Sequence, residues 1–338
     1  MANAVEIRPW QPGDESSIVA GWNRIFPAQD GLRPRDLAYW QWQFRDNPSG
    51  PTEVAVAVAD GRVVGQYACV PQRAVDEGMP MTIGLIADAF VLPEFRRAGG
   101  RPGLIIHLAR ALHGFYCGAQ ASRRAPGHSL LYGYPFPIWR IAQRYLGSEM
   151  VRDMDVLFRE VATPGYASNE APAEVVVEAA PSAGQAANEL WAACSAEVRF
   201  GIVRDQAYLD WRFGAHPERD YTFFLARDAG SGVPRGLAVY SCGRYVVDAG
   251  ILCDWLVPVA DEAAELALLA ALEERTRADA RPVLLAVLPQ PDPRFLRWQR
   301  RGFLVGPPSH FLVMNTFRHH VRHLRDRWFY TLGDSDLV

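Results

Sequence analysis

The sequence lacks several features that would assign it to a class at once. Its five cysteines are scattered, without a CxxC or Cys/His spacing, so no metal site is predicted and the thiols are expected to be buried and reduced. The formal net charge of −3 provides no basic surface for nucleic acid. Charge, Gly or Pro interrupts each apolar stretch before it could cross a bilayer, so no membrane partner is predicted. The start, MANAVEIRPW, does not resemble a secretory signal, and we expect a cytoplasmic protein.

What the sequence does contain is an internal repeat. The segment RDLAYWQWQFRDNP at 35–48 recurs as RDQAYLDWRFGAHP at 204–217, at a constant offset of 169 residues that Trp22 and Trp191 also obey. Each half then shows the same order: strand, helices, antiparallel strands, helix, strand, helix. This order predicts an α+β fold of two similar domains, each with a mixed, mostly antiparallel sheet flanked by helices.

The predicted domain boundaries follow the repeat. Residues 1–160 form the first domain, the Ala-, Pro- and Ser-rich stretch 161–174 a linker, 175–317 the second domain and 318–338 a tail. Within the repeated segment, the Arg-Asp pairs are expected to cap or anchor a helix, and the aromatic residues to lie in the core. The tail could cover a domain interface. Its residues Asp334 and Asp336 are expected to be solvated, with contact to a cationic substrate as the alternative.

The two halves differ most after the middle strand. The first continues VLPEFRRAGGRPGLIIHLARAL (91–112), and the second VPVADEAAELALLAAL (257–272). Glycines allow backbone N–H groups to approach a ligand, arginines bind phosphate oxygens, and a helix N-terminus favours an anion. The first half therefore predicts a pyrophosphate-binding loop, with an ordinary basic surface turn as the alternative. In the second half, Asp261 and Glu262 would cap the helix and repel an anion.

The stretch VLPEFRRAGG resembles the acetyl-CoA loop of the GNAT acyltransferases, V-x-P-x-[FY]-R-x-x-G. Together with the element order of both halves, this makes the chain similar to tandem GNAT proteins over nearly its whole length. It departs from the pattern at Arg101-Pro102, where the family has Gly or Ala, so either Gly103 takes that role or the loop is altered. The resemblance implies acetyl-CoA or another acyl-CoA as co-substrate, held by Phe90, Val91, Leu92, Arg96, Arg97, Ala98, Gly99, Gly100, Arg101 and Gly103.

The resemblance also implies roles in catalysis. A backbone N–H around Phe90–Leu92 would bind the oxyanion. Asp88 is the candidate base, although Asp254 occupies the same position in the second half and favours a structural role. Tyr134 and Tyr132 are the candidate acids for the leaving thiolate, with packing at the sheet edge as the alternative; Ala286 and Leu288 replace them in the second half. Tyr145 is a third choice, and His128 is expected to be a solvated loop histidine.

We therefore expect an N-acyltransferase that moves an acetyl or short acyl group from acyl-CoA to a primary amine of a small molecule, an amino sugar or an amino-acid-like metabolite. The alternative is a catalytically degenerate module that senses acyl-CoA or serves as a scaffold. The oligomeric state stays open.

Overall fold

The computed structural model describes residues 4–27, 33–135, 140–162, 171–243, 245–308 and 310–338. The chain divides into two compact units. Unit 1 contains Met1–Arg73, Met81–Arg152 and His310–Arg325; unit 2 contains Ala74–Pro80, Asp153–Ser309 and Asp326–Val338. Most of the predicted linker, residues 163–170, lies outside the described residues. No helix in the described ranges is both long and apolar enough to cross a membrane.

The elements up to residue 153 follow the predicted order. They are β1 (Glu6–Pro9), α1 (Glu15–Ile25), α2 (Leu37–Trp40), β2 (Glu53–Ala59), β3 (Arg62–Asp76), β4 (Met79–Val91), α3 (Leu104–Tyr116), β5 (Leu130–Gly133), α4 (Arg140–Leu146) and β6 (Glu149–Asp153). A π-helical turn, Gln41–Arg45, continues α2.

The remaining elements repeat this order with additional strands. They are β7 (Val156–Glu160), β8 (Val175–Ala180), α5 (Gly184–Cys194), β9 (Phe200–Ile202), α6 (Gln206–Leu209), β10 (Thr222–Asp228), β11 (Pro234–Cys242), β12 (Ala249–Leu256), α7 (Glu262–Ala278), β13 (Val283–Ala286), α8 (Pro293–Arg300), β14 (Leu304–Gly306), β15 (Phe311–Thr316) and α9 (Val321–Arg325). A π-helical turn, Asp210–Gly214, continues α6. It lies at the repeat offset from the turn after α2.

Both sheets are mixed and mostly antiparallel, which confirms the predicted α+β class. The first has the order β1-β2-β3-β4-β5-β15-β6, and the second β14-β7-β13-β12-β11-β10-β8. In each, the strands on either side of the long helix are parallel: β4 with β5, and β12 with β13. The helix α3 packs on β1 and β2, and α7 packs on β8, β10 and β11.

The units differ from the predicted boundaries in two segments. Strand β15 pairs with β5 in the first sheet, and β7 pairs with β13 in the second. Residues 153–160 therefore belong to unit 2, and residues 310–325 to unit 1. In the sequence, β7 lies in the first predicted domain and β15 in the second, but each forms backbone hydrogen bonds with a strand of the other domain's sheet. Their short apolar sequences do not predict this pairing.

The repeated Arg-Asp motif has a separate task for each residue. Asp36 and Asp205 cap α2 and α6, accepting hydrogen bonds from the amides of Tyr39 and Tyr208 at 2.8 and 3.0 Å, as predicted. The arginines instead reach a carboxylate on the middle strand. Arg35 pairs with Asp88 and Arg204 with Asp254. The aromatic residues of the motif are buried, as predicted: Trp42, Phe44, Trp211 and Phe213.

In unit 2 the arginine bonds a second carboxylate, so the expectation of a solvated Asp334 is wrong. Arg204 donates to Asp254 at 2.8 Å and to Asp334 at 2.6 Å, and all three side chains are at most 1% exposed. The chain contains no lysine, since all 35 of its Lys and Arg residues are arginine. A planar guanidinium suits this position because it can bond two carboxylates at once.

We expect Arg204→Met to destabilise unit 2 by about 3–5 kcal/mol, because the substitution leaves two buried carboxylates without their cation. Urea unfolding followed by tryptophan fluorescence measures the loss. The matched control is Arg227→Met, which breaks an ion pair whose side chains are 35% and 55% exposed; it should cost about 1 kcal/mol or less. Equal losses in the two variants would contradict this account of the buried network.

The same network predicts a pH dependence. Burial, opposed by Arg204, raises the pKa of Asp334 to about 6. The folded chain therefore binds this proton more tightly than the unfolded chain, and the resulting stability is present below about pH 4 and lost as the pH rises through 6. The free energy of unfolding of the wild type should fall between about pH 4 and 7 relative to that of Asp334→Asn. A constant difference across this window would show that Asp334 is ionised throughout.

Candidate active site

The loop between β4 and α3 is shaped by a glycine. Gly103 precedes the first residue of α3 and has a φ of +109°. A Cβ atom there would lie 3.0 Å from the carbonyl oxygen of Arg96. That carbonyl accepts a hydrogen bond of 3.2 Å from the amide of Leu104, which closes the loop. Only glycine fits this closure without strain. Gly103 thus holds a structural position in the predicted cofactor loop.

Backbone donors line this loop. The amides of Ala98 and Gly100 bond to carbonyl groups within the loop. Within the described residues, five other amides of the loop and the first turn of α3 make no hydrogen bond: those of Arg97, Gly99, Arg101, Gly103 and Ile105. The loop and the start of α3 therefore present five N–H donors, at the end of the helix that favours an anion.

The three arginines of the loop reinforce this preference. Arg96, Arg97 and Arg101 are exposed, and none of them forms an ion pair within the described residues. The second repeat is different at this point. Asp261 caps α7 through the amide of Ala264 at 3.0 Å and pairs with Arg235 at 2.6 Å. The start of α7 is therefore occupied by the chain's own carboxylate, which would repel a phosphate.

Strands β4 and β5 separate before the loop is reached. Among the described residues, their parallel pairing joins Gly84 with Leu131 and Leu85 with Tyr132, and β4 then continues to Val91. The amide of Leu92 donates to Val64 of β3 at 2.9 Å, so it has no hydrogen left for a ligand. Successive amides of a strand point to opposite edges, which directs that of Val91 toward the side of β5. Of the predicted Phe90–Leu92 segment, Val91 is therefore the best candidate for the backbone N–H that donates to a ligand between the separated strands.

The side chain of Asp88 is held in place by a cation. Its carboxylate pairs with Arg35, whose guanidinium lies 4.0 Å from the centre of the Trp22 ring and 4.3 Å from that of Tyr39. The residue is 9% exposed and has a φ of +54°, a left-handed conformation that is uncommon for a non-glycine residue. Because the second repeat forms the same pair, the contact serves the fold in both units.

The two predicted tyrosines are brought together. Tyr132 and Tyr134 are 1% and 6% exposed, and their ring centres lie 6.0 Å apart in an edge-to-face arrangement. Tyr132 lies opposite Leu85 in the final paired position of β4 and β5. Tyr134 follows the end of β5, where the strands have separated. It is therefore better placed at the opening than Tyr132.

His128 is not the solvated loop histidine that the sequence suggests. It is fully buried, and its Nε2 contacts the carboxylate of Glu53. Glu53 also accepts hydrogen bonds from Arg124 at 2.6 Å and from the thiol of Cys69 at 3.4 Å. These are residue types that bind metals, but Arg124 already balances the charge of Glu53. Within the cluster, Glu53 begins β2, Cys69 lies in β3, and His128 precedes β5 at the end of that strand remote from Tyr134. Burial raises the pKa of Cys69.

Two buried glutamines, of which Gln66 contacts Asp88, were not identified from the sequence. Gln66 is 1% exposed and donates from its Nε2 to the carbonyl of Asp88 at 3.0 Å. Gln43 is 5% exposed and lies in the π-helical turn after α2. The Oε1 atom of each makes no hydrogen bond within the described parts of the chain. The sequence signal is a polar residue within the apolar strand VVGQYACV.

Comparisons with known proteins agree with this geometry. Residues 6–143 match the family model described as an acetyltransferase (GNAT) domain. No curated protein matches the chain. A GCN5-related N-acetyltransferase from Kribbella flavida is 19% identical with a TM-score of 0.65, and the match covers 94% of this chain and 72% of that one.

Two further solved structures share the fold over both units. A tandem GNAT protein from the clavulanic acid biosynthesis pathway is 14% identical with a TM-score of 0.57. The match covers 94% of this chain and 100% of that one. The N-myristoyltransferase of Saccharomyces cerevisiae, solved with myristoyl-CoA, is 12% identical with a TM-score of 0.59, covering 95% of this chain and 84% of that one. The chain therefore has the fold of tandem GNAT proteins, and residues 6–143 of its first repeat match the model of the GNAT acetyltransferase domain, whose family uses acyl-CoA as co-substrate.

Proposed function

We propose that this protein transfers an acetyl or short acyl group from acyl-CoA to a primary amine of a small molecule, and that only the first repeat binds the cofactor. The observation that carries the proposal is the row of five unbonded amides between Arg97 and Ile105. The corresponding helix start in the second repeat is capped by Asp261. A pyrophosphate needs several N–H donors and cations, and of the two described helix starts the first has both, whereas the second is capped by a carboxylate.

The cofactor follows from this anchor. The pyrophosphate lies on the loop with Arg96, Arg97 and Arg101 around it, and Ala98, Gly99, Gly100 and Gly103 let the backbone approach. The pantetheine arm runs along the open edge of β4, where Val91 offers its amide. This places the thioester in the opening between β4 and β5, near Asp88 and Tyr134.

The acceptor ammonium first loses a proton to solvent, because only a neutral amine can attack. Its nitrogen then attacks the thioester carbonyl, the amide of Val91 donates to the oxyanion that forms, and the proton that the nitrogen loses as the amide forms restores the tyrosine that protonates the thiolate. When the carbon–sulfur bond breaks, Tyr134 gives its phenolic proton to the departing thiolate, with Tyr132 as its neighbour in the pair. Asp88 remains paired with Arg35, so we assign it the electrostatic role of attracting the cationic amine rather than that of general base.

The loop assignment is tested by Gly103→Ala. The added Cβ would meet the Arg96 carbonyl at 3.0 Å in a left-handed conformation, so the loop must open. We expect acetyl-CoA affinity, measured by calorimetry, to fall about tenfold or more. The matched control is Gly114→Ala in α3, where a Cβ has no neighbour within 4 Å; it should bind acetyl-CoA as the wild type does. Unchanged affinity in the Gly103 variant would remove the loop from the cofactor site.

The acid assignment is tested by Tyr134→Phe, which removes only the phenolic hydroxyl. The rate of acyl transfer should drop about 100-fold or more while acetyl-CoA affinity stays constant, because the proton is needed only as the thiolate leaves. Tyr132→Phe and Tyr145→Phe are the matched comparisons and should have smaller effects. If the double variant at 132 and 134 retains full activity, neither tyrosine is the acid.

One assay separates the enzyme from an acyl-CoA sensor. Release of free coenzyme A thiol is followed over a panel of primary amines. Because the chain has no lysine, acylation of its own lysine side chains cannot contribute to the signal. Amine-dependent thiol release supports transfer. Stabilisation of the fold by acetyl-CoA without thiol release across the panel would instead favour a sensor.

A further inference from the structure

Three buried side chains of unit 1 bring one potential metal-binding atom each to a common point. Glu53, Cys69 and His128 are all fully buried. The sulfur of Cys69 lies 3.4 Å from Oε2 of Glu53 and 3.6 Å from Nε2 of His128. That nitrogen also contacts Oε2 of Glu53. The carboxylate oxygen, the sulfur and the nitrogen therefore form a triangle in which each atom contacts the other two.

The fold holds each of the three residues in place. Glu53 and Cys69 lie opposite each other in the pairing of β2 with β3. The main chain of His128 is fixed on both sides, because its amide donates to the carbonyl of Tyr116 at 2.8 Å and its carbonyl accepts from the amide of Gly118 at 2.9 Å. The strand register and the end of α3 thus position the three side chains before any ligand binds.

The second repeat shows that the fold does not require these residue types. Thr222 and Tyr240 lie opposite each other in β10 and β11, as Glu53 and Cys69 do in β2 and β3. The residues just before β13, 280–282, are Ala, Arg and Pro. None of these replacements offers a thiolate, an imidazole or a carboxylate. Because burying polar side chains costs free energy, a cluster that only the first repeat carries points to a ligand of its own.

The distances fit a tetrahedral zinc ion. Zinc binds sulfur at about 2.3 Å and nitrogen or oxygen at about 2.0–2.2 Å, which separates neighbouring ligand atoms by roughly 3.4–3.6 Å. The two separations from the sulfur of Cys69, 3.4 and 3.6 Å, lie in that range. An ion within the triangle would replace the direct contact between His128 and Glu53. A thiolate with an imidazole favours zinc over magnesium or calcium.

Arg124 supports the carboxylate from outside the triangle. Its NH1 atom donates to Oε1 of Glu53 at 2.6 Å, and the contacts of Cys69 and His128 are with the other oxygen, Oε2. A hydrogen bond of this kind is the usual support of a carboxylate that binds a metal. The side chain of Arg124 is 15% exposed, so its charge keeps contact with water while the carboxylate and a thiolate balance the two charges of the ion.

We propose that Glu53, Cys69 and His128 bind one zinc ion, which ties β2 and β3 to the segment before β5. As the ion binds, the thiol of Cys69 gives its proton to solvent and the sulfur bonds to zinc, while a water molecule takes the fourth position. The site precedes β5 at the end remote from Tyr134, so it stabilises unit 1 and is independent of the proposed acyl transfer. The ligands lie 16 and 59 residues apart along the chain, which is why no motif revealed them.

Cobalt(II), which substitutes for zinc, tests the ligands by absorption. The full chain, freed of metal with a chelator, should bind one cobalt ion and show thiolate-to-cobalt charge-transfer bands. The bands should be lost in Cys69→Ala and kept in Cys253→Ala, the matched control, whose thiol is equally buried but lies in β12. Circular dichroism checks that each variant is folded. An absence of bands in the wild type, or their survival in Cys69→Ala, would overturn the proposal.

Thermal unfolding of the wild type keeps the test independent of whether the Cys69 variant folds. Zinc at a hundredfold excess over its Kd should raise Tm by about 5 °C or more, and magnesium at the same concentration should not. His319 and His323, whose ring centres lie 5.6 Å apart, could bind zinc without a thiolate. His323→Gln should therefore keep the full rise. No rise, an equal rise with magnesium, or a rise lost in His323→Gln would contradict the site.

Discussion

The ion pair between an arginine before the second helix and an aspartate on the middle strand underlies both halves of this protein. In each unit it joins a helix cap to the strand that leads to the loop before α3 or to its counterpart before α7. Because both partners are largely buried, neither can be lost without leaving an uncompensated charge. The pair explains why the Arg-Asp motif occurs twice, and it places Asp88 beside the separation of β4 and β5.

On this common frame, the two units differ in their anion chemistry. In the first, a glycine-rich loop precedes α3, five amides of the loop and the first turn of α3 make no hydrogen bond within the described residues, and exposed arginines lie in the same loop. In the second, Asp261 fills the corresponding helix start, and the segment Thr331–Ser335 fills the face of the arginine. The second unit thus pairs the start of α7 and the side chain of Arg204 with carboxylates of its own chain. This difference at the two helix starts is the physical basis for proposing that the first repeat binds acyl-CoA.

Much of this architecture is readable in the sequence because it depends on local signals. Asp36 caps its helix, Phe44 is buried, and Gly103 occupies a turn that needs glycine. Other features depend on contacts between distant segments. Nothing in the sequence of β7 or β15 states which sheet it joins. The basic loop around His128 resembles a solvated turn, and only the fold brings it against Glu53. Similarly, no local pattern shows that Gln66 lies beside the Asp88 carbonyl.

The central claim is that one acyl-CoA binds per chain, on the first repeat. The most direct measurement is a crystal structure of the full chain with coenzyme A, combined with the binding stoichiometry from calorimetry. The account predicts one coenzyme A per chain, with its pyrophosphate on the amides between Arg97 and Ile105. Coenzyme A bound at the start of α7, or two molecules per chain, would contradict it.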